Sequence, residues 1–543
     1  MSWASRLLLL VLGLALFLPG IASRDLWNPD EPRYAEVARE MRASGDYFVP
    51  HLNGRIYAEK PPLHFWSIAT ASLATGEVDE VSARLPSLLA ALATLFLLFG
   101  IAQRLFDREV AWMSVLVFAT SAKILWQGRI GQIDMTLIAL VTLSIYFFVR
   151  GMTDGKELHF RLFFVATGFA TLAKGPVGLL PPLLAVVVFG FASGRRDLLR
   201  RLRIPTGLLI WAGIVLLWLV PAILSAGREY YETIVFKQNV GRYANPWHHF
   251  QPWYYYLTVI PADFFPWAFF LPGAIRIGFR RYLDRERRGF LLALSWMLVT
   301  LAFFSLSPAK RTVYILTMYP AMALLVGASF VEIRRSWPSL RAWLVAPAAL
   351  LALLLTALPT LGFYVVRFEP ERLGGRLAEL EPLGPGLLPL LLALGLGLSA
   401  ASLAALLGAL KGSTRRVTFS LALGMGVVVA CASLWLLPRF DAVKSARPLA
   451  STLLQQAAPD EPYAIYPQLD APFLFYTRRF SVELKSEEEL RSFVARPERV
   501  WLLIEKNDLA KLEPPLDLLE VDRDAERRDG YLLLTNRPPT ELR

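Results

Sequence analysis

Trp27-Asn28-Pro29-Asp30-Glu31-Pro32-Arg33-Tyr34-Ala35-Glu36 opens a charged stretch that Tyr57-Ala58-Glu59-Lys60-Pro61-Pro62 closes just before Trp66. Apolar runs flank it, Leu7 to Ala22 on one side and 82–102 on the other. Each approaches the ~20 residues a helix needs to cross the hydrocarbon core of a bilayer. Carboxylates, arginines and a lysine gathered beside a first span point to chemistry at a membrane surface. The rest of the chain agrees. Of its 543 residues 55% are hydrophobic, and the mean hydropathy is +0.43. A soluble fold could not hide that much apolar surface from water.

Length and hydropathy predict thirteen spans, near 7–22, 82–102, 109–126, 134–150, 161–173, 177–192, 206–225, 254–274, 289–305, 312–332, 343–365, 386–410 and 418–437. The first also resembles a signal peptide, with Gly20-Ile21-Ala22-Ser23 as a cleavage site. An uncleaved anchor is preferred, because many spans follow and loop parity works with it. Basic residues recur in alternate loops: Arg104 and Arg108, then Arg150 to Arg161, Arg195 to Arg203, Arg276 to Arg288, Arg334 to Arg341, and Lys411 to Arg416. Such loops are cytoplasmic. The N-terminus is then cytoplasmic, and the loop 24–81 and the C-terminus lie outside. These loops account for the net charge of +12, so no nucleic acid is needed to explain it. The single cysteine, Cys431, excludes an intramolecular disulfide.

The outside loop has its own pattern. Tyr34, Val37, Ala38 and Met41 fall on one face of a helix over 31–42, predicted to lie flat on the membrane. A second interfacial helix is expected over 63–73, with Phe65 and Trp66 at headgroup depth. After Pro438 the composition turns polar. Strands are expected at 462–467, 500–504, 518–521 and 531–534, and Ser486-Glu487-Glu488-Glu489 opens a helix with a capping box. The chain divides into a transmembrane part, 1–438, and a small soluble α/β domain, 439–543.

With this topology the unusual polar residues fall on one side. Asp30, Glu31 and Asp134 are candidate catalytic acids, and Asp30 and Asp134 are also suited to cap helices. Lys60, stiffened by Pro61-Pro62, is a point charge for a phosphate. Lys310, Arg311 and Tyr314, in Ser307-Pro308-Ala309-Lys310-Arg311-Thr312-Val313-Tyr314, suit phosphate oxygens equally well. Each of these cations would also serve as an ordinary span-ending charge. His249, within an aromatic belt at 247–256, could join Glu59 around a divalent cation. No Walker A, Rossmann glycine fingerprint or HExxH motif is present, so no nucleotide cofactor is expected.

These motifs, with Ile133-Asp134 and Lys174-Gly175 between them, resemble the bacterial polyprenyl-phosphate-sugar glycosyltransferases of the GT-C fold. That group holds lipid A aminoarabinose transferases and protein O-mannosyltransferase-like enzymes. The resemblance implies a donor sugar on undecaprenyl phosphate, transfer at the periplasmic face of the bacterial inner membrane, and inversion at the sugar carbon. It implies an acceptor in lipid A or a related envelope glycolipid, with a protein or polysaccharide as the alternative. Asp30 would stand near the acceptor nucleophile, and Asp134 near the sugar. Lys60, Arg242 and Tyr314 would hold the lipid phosphate, and Glu59 and His249 would match metal-ligating positions. One departure stands out. Gln238-Asn239-Val240-Gly241-Arg242-Tyr243 carries Asn239 where the aminoarabinose enzymes carry a histidine. From other classes, a lipid-linked sugar transporter should show internal repeats and midplane charges. A scaffold would leave Asp30, Glu59 and Lys60 without a role.

Overall fold

Apolar runs that enter lipid find no water for their peptide groups, so they close their hydrogen bonds internally as helices. The computed structural model describes residues 1–241, 249–281, 285–337, 339–369, 386–524 and 530–538. Among these, eight helices are long and apolar enough to cross a membrane, including Glu80–Leu105, Ile133–Asp154, Ile204–Gln238 and Thr312–Arg335. Two helix pairs are sharply bent, Glu157–Gly178 with Leu180–Ala192 by 86°, and Tyr255–Asp263 with Trp267–Arg280 by 115°. The expected span 254–274 is thus two rods at a steep angle. Pro266 heads the second rod without a backbone N–H to continue the first. Trp3–Phe17 and Arg108–Ala119 are apolar but short, at 15 and 12 residues. Of the expected thirteen straight spans, the described residues therefore hold eight long helices, two bent pairs and two short helices.

The long helices differ in their surroundings. Thr312–Arg335 is 89% buried within the protein and forms the centre of the bundle, whereas Leu387–Leu410, at 17%, presents leucines outward. Phe99, Phe118, Phe148, Trp267, Trp296 and Phe330 fill the core between them.

The first loop folds as a helix, a hairpin and a helix. Glu31–Ser44 carries Pro32 in its first turn and ends on Gly45 at φ 75°, a left-handed cap that favours glycine. Strands β1 (His51–Leu52) and β2 (Arg55–Ile56) form the hairpin, and Leu63–Thr75 follows. The predicted stripe of Tyr34, Val37, Ala38 and Met41 is buried, but its cover is protein. It packs on Phe65, Ile68, Val78 and Phe475. The expectation of a helix lying flat on lipid is therefore corrected: the apolar face is consumed by the second loop helix and by the C-terminal part of the chain.

Beyond residue 440 a five-stranded sheet runs in the order β4 (Val482–Glu483), β3 (Tyr463–Tyr466), β5 (Trp501–Glu505), β7 (Tyr531–Thr535), β6 (Leu519–Arg523). β3 is parallel to β4 and β5, and β7 is antiparallel to β5 and β6. Helices Arg447–Gln456 and Ala471–Thr477, which the sequence reading did not single out, cover one face through Leu449, Leu453 and Phe473. Leu490 and Phe493 of Glu487–Val494 cover the other face, and Ser486 caps that helix by accepting from Glu489 N at 3.2 Å.

Candidate active site

The elements that converge above the bundle leave a cavity of about 340 Å³. Its polar lining includes Asp30, Glu59, Lys60, Asp134, Lys174, Arg311 and Tyr314, and its apolar lining Leu137, Val177, Leu180, Phe303, Phe304 and Val313. Such a pairing of charged with aromatic and aliphatic side chains suits an amphipathic ligand.

Asp30 holds the position before Glu31–Ser44, yet its side chain makes no capping hydrogen bond. Its Oδ2 instead accepts from Gln132 Nε2 at 3.1 Å and lies 3.7 Å from Arg311 Nη2. Asp134, in the first turn of Ile133–Asp154, is ion-paired with Lys174 at the end of Glu157–Lys174. The Lys174 ammonium also sits 5.2 Å above the Tyr314 ring. Tyr314 belongs to the 3-10 turn Thr312–Met318 and leans on Phe304. Lys60 and Glu59 come from the rigid Pro61-Pro62 turn, with Lys60 Nζ 3.2 Å from the Glu59 carbonyl.

Glu31 has a different setting. Its carboxylate is buried, 2.7 Å from Arg24 and 2.9 Å from Arg84, and accepts from Gly131 N at 2.8 Å. Burial pushes this carboxyl up, but the guanidiniums of Arg84 and Arg24 outweigh it and hold the group at about 2. Arg84 also donates to the carbonyls of Ile21, Arg24 and Asp25. Glu31 is thus absent from the cavity lining; its bonds to Arg84 and Gly131 tie the loop to the bundle, and its bond to Arg24 closes the start of the loop on itself. The expectation of a catalytic Glu31 is corrected on that ground.

Lys310 is corrected likewise. Its ammonium is buried and turned to the carbonyls of Ser307 and Gln251 at 2.5 and 3.0 Å. Burial lowers its affinity for the proton. Only its neighbour Arg311 reaches the cavity. His249 is exposed, is not part of the lining, and accepts from Lys310 N through its carbonyl. The Glu59 carboxylate faces a guanidinium and a hydroxyl, with Arg33 at 3.8 Å and Tyr57 Oη at 3.3 Å. Among the described residues no three His, Cys, Asp or Glu side chains gather as metal ligands. Glu59 and His249 thus belong to no such group among the described residues. Arg242 lies outside the described residues.

Several residues here escaped the sequence reading. Lys174 was visible as part of a motif, and a lysine ending an apolar helix signals a partner. Gln132 carried no signal, while Tyr34 and Gln238 stood in the motif stretches without being read as lining residues. His64 is completely buried, its ring edge-on to Tyr34 at 5.6 Å. Burial pushes it down to about 4, against the pull of Asp134, so it is neutral.

The fold and this cavity define a class before any one relative does. Residues 59–224 match the family model described as dolichyl-phosphate-mannose-protein mannosyltransferase. Over 94% of its length the chain shares a fold with the archaeal oligosaccharyltransferase AglB from Archaeoglobus fulgidus, solved with an inhibitory peptide and a dolichol-phosphate (TM-score 0.52, 10% identity, 71% of that chain). A fuller match is the crystal structure of ArnT from Cupriavidus metallidurans bound to undecaprenyl phosphate, with a TM-score of 0.77, 23% identity and 99% of both chains covered. Among curated proteins it is similar to undecaprenyl phosphate-alpha-4-amino-4-deoxy-L-arabinose arabinosyl transferase 2 of Pseudomonas fluorescens, 30% identical over 339 residues. It is likewise similar to the arabinosyl transferase of Edwardsiella ictaluri, 31% identical over 337 residues. These matches take in 61% of this chain and only 56% and 59% of those proteins. The resemblance to bacterial polyprenyl-phosphate-sugar glycosyltransferases thus rests on a family model, on sequence relatives and on a shared fold.

Proposed function

We propose that this chain is an integral membrane glycosyltransferase that moves a sugar from undecaprenyl phosphate to lipid A or a related envelope glycolipid. 4-Amino-4-deoxy-L-arabinose is the first sugar to test. Transfer takes place at the periplasmic face of the bacterial inner membrane, with inversion. The N-terminus lies in the cytoplasm, and the cavity and C-terminus lie in the periplasm. The observation that carries this reading is the cavity itself, where carboxylates and cations line the same space as aromatic and aliphatic side chains.

In this reading the prenyl chain lies along Phe303, Phe304 and Val313, and its phosphate meets Lys60, Arg311 and Tyr314. An acceptor hydroxyl attacks the anomeric carbon, its proton passes to Asp30, and the bond from that carbon to the phosphate oxygen breaks. Negative charge then grows on the departing phosphate, where fixed cations and a hydroxyl lower the barrier. Asp30 serves as the general base. Asp134, oriented by Lys174, faces the sugar. Arg311, 3.7 Å from Asp30, stands between the general base and the phosphate it helps to hold.

The test is transfer from undecaprenyl-phosphate-linked sugars to lipid A by purified protein, wild type against Asp30→Asn and Lys60→Ala. Transfer that survives both substitutions sinks the assignment, and lipid movement across vesicles without transfer favours a transporter. The match of residues 59–224 to a protein mannosyltransferase model supports a second reading, in which the acceptor is a protein or polysaccharide.

A further inference from the structure

The reaction just proposed gives no work to the residues after 440, yet they grip the backbone that carries Asp30. Leu26 N donates to Tyr476 Oη at 2.7 Å, and Trp27 Nε1 donates to Asp441 Oδ1 at 2.7 Å. Asp25 N reaches both Asp441 oxygens at 3.2 Å, and Ser445 Oγ donates to Asp25 Oδ2 at 2.5 Å. Arg447 pairs with Asp25 at 2.9 Å and also with Glu80, and its guanidinium lies 4.6 Å over the Tyr476 ring. Phe475 enters the apolar core under Glu31–Ser44. From the other side Arg84 holds the carbonyls of residues 21, 24 and 25 and the Glu31 carboxylate. The segment 24–27 is therefore clamped, three residues ahead of Asp30, between the second membrane helix and the C-terminal unit together with Asp441, which stands at the end of the last membrane helix (Thr414–Lys444) where that unit begins.

The same two bodies touch elsewhere, at the hairpin and near residue 77, away from residues 25–27; at the hairpin Asn53 and Ser481 exchange two buried hydrogen bonds at 3.0 and 2.8 Å, and ion pairs surround them. Arg55 pairs with Glu483 at 2.6 Å and Arg478 with Glu77 at 2.6 Å, both largely in solvent. Such pairs attach the unit and contribute little to the placement of Asp30. The hydrogen bonds to residues 25–27 act on backbone and on side chains next to the acid. An active-site group must be held within fractions of an ångström by neighbours that are themselves locked.

We propose that the C-terminal unit is a positioning element of the site, with Tyr476 and Asp441 as the positioning residues that set Asp30 through the backbone of residues 25–27. This rests on the reading of Asp30 as the acid that serves the acceptor. The unit is thus part of the catalytic apparatus without touching substrate, and losing its grip costs turnover before it costs donor binding.

Tyr476→Phe removes one hydroxyl and keeps the ring, and Arg55→Gln loosens the same interface away from residues 25–27. Hydrogen exchange of the peptide 24–31 is expected to quicken in Tyr476→Phe and to stay unchanged in Arg55→Gln. Turnover is expected to fall between about tenfold and a hundredfold in Tyr476→Phe alone. Affinity for undecaprenyl phosphate and the melting temperature are expected to stay at wild-type values. Asp441→Asn, which keeps an acceptor for Trp27, should recover part of the turnover that Asp441→Ala loses. An equal loss of turnover in Arg55→Gln would reduce the unit to an attachment and overturn the proposal. Unchanged exchange in Tyr476→Phe, or quickened exchange with unchanged turnover, would overturn it as well. A wild-type protein that transfers no sugar sinks the functional reading instead, and the exchange arm then decides by itself whether residues 25–27 are clamped.

Discussion

Asp30-Glu31 and Lys310-Arg311 face each other across the cavity, and each splits its two charges in the same way. Asp30 and Arg311 turn inward and meet at 3.7 Å, while Glu31 and Lys310 turn away and are buried. The difference lies in how the buried partner is satisfied. Glu31 is held by two guanidiniums and a peptide N–H, whereas Lys310 is held by carbonyl dipoles. Adjacent like charges can thus divide into one that works and one that builds. The builder bonded to opposite charges is the costlier to disturb.

The largest effect is expected at the inward acid. Asp30→Asn should lower turnover by about 10² to 10⁴, the range for a lost general base, with undecaprenyl phosphate still bound. Arg311→Gln should lower it by about 10² to 10³, as for a lost donor to developing charge, and should also weaken undecaprenyl phosphate binding. If Lys310→Met matches that loss without a change in melting temperature, the division between the neighbours is wrong.

On the buried side, Glu31→Gln should destabilise the protein by ~3–5 kcal/mol, because Arg24 and Arg84 lose the charge that compensates their burial. Thermal unfolding in detergent would measure it. The pH dependence sharpens this. Glu31 is held at about 2 in the folded protein against 4.5 for the ordinary group, so its contribution is complete above about pH 4.5 and is lost as the pH falls toward 2. Glu31→Gln should flatten that acid limb. Lys310→Met should cost less, ~1–3 kcal/mol, the scale for charged hydrogen bonds to carbonyls. At the far end of the bundle, Glu109→Gln should cost no more than about 1 kcal/mol, because its pairs with Arg334 and Arg415 stand in solvent.

Much of this site was legible because its chemistry is out of place in apolar sequence. Asp30, Glu59, Lys60, Asp134, Arg311 and Tyr314 stood out as polar groups on one side of a greasy chain, and all six line one cavity. Four of the five strands after residue 460 were legible as short apolar runs, and the two-residue β4, Val482–Glu483, was too short to show. Which way a side chain turns was not legible. Glu31 and Asp30 are the same chemistry one residue apart, and what separates them is largely tertiary, the approach of Arg84 from 53 residues on and of Gly131 from 100 residues on. Lys174 and Asp134 are 40 residues apart, and nothing local announces their pairing. The stripe on Glu31–Ser44 read correctly as apolar, but periodicity cannot say whether lipid or Phe475 covers it. The bend near Pro266 was hidden because hydropathy averages over a window and is blind to backbone direction.

The break after Lys174 has a consequence for anyone who would redesign this protein. Gly175 sits at φ 79°, which favours glycine, and a methyl group built on Gly178 would fall 2.3 Å from the Ala170 carbonyl carbon. The turn that presents Lys174 to Asp134 is therefore closed to side chains at two positions. Libraries meant to change the accepted sugar or lipid are best directed at Leu137, Phe303 and Gln238, which offer the cavity side chains to exchange. A library over 175–178 would mostly recover its own starting sequence.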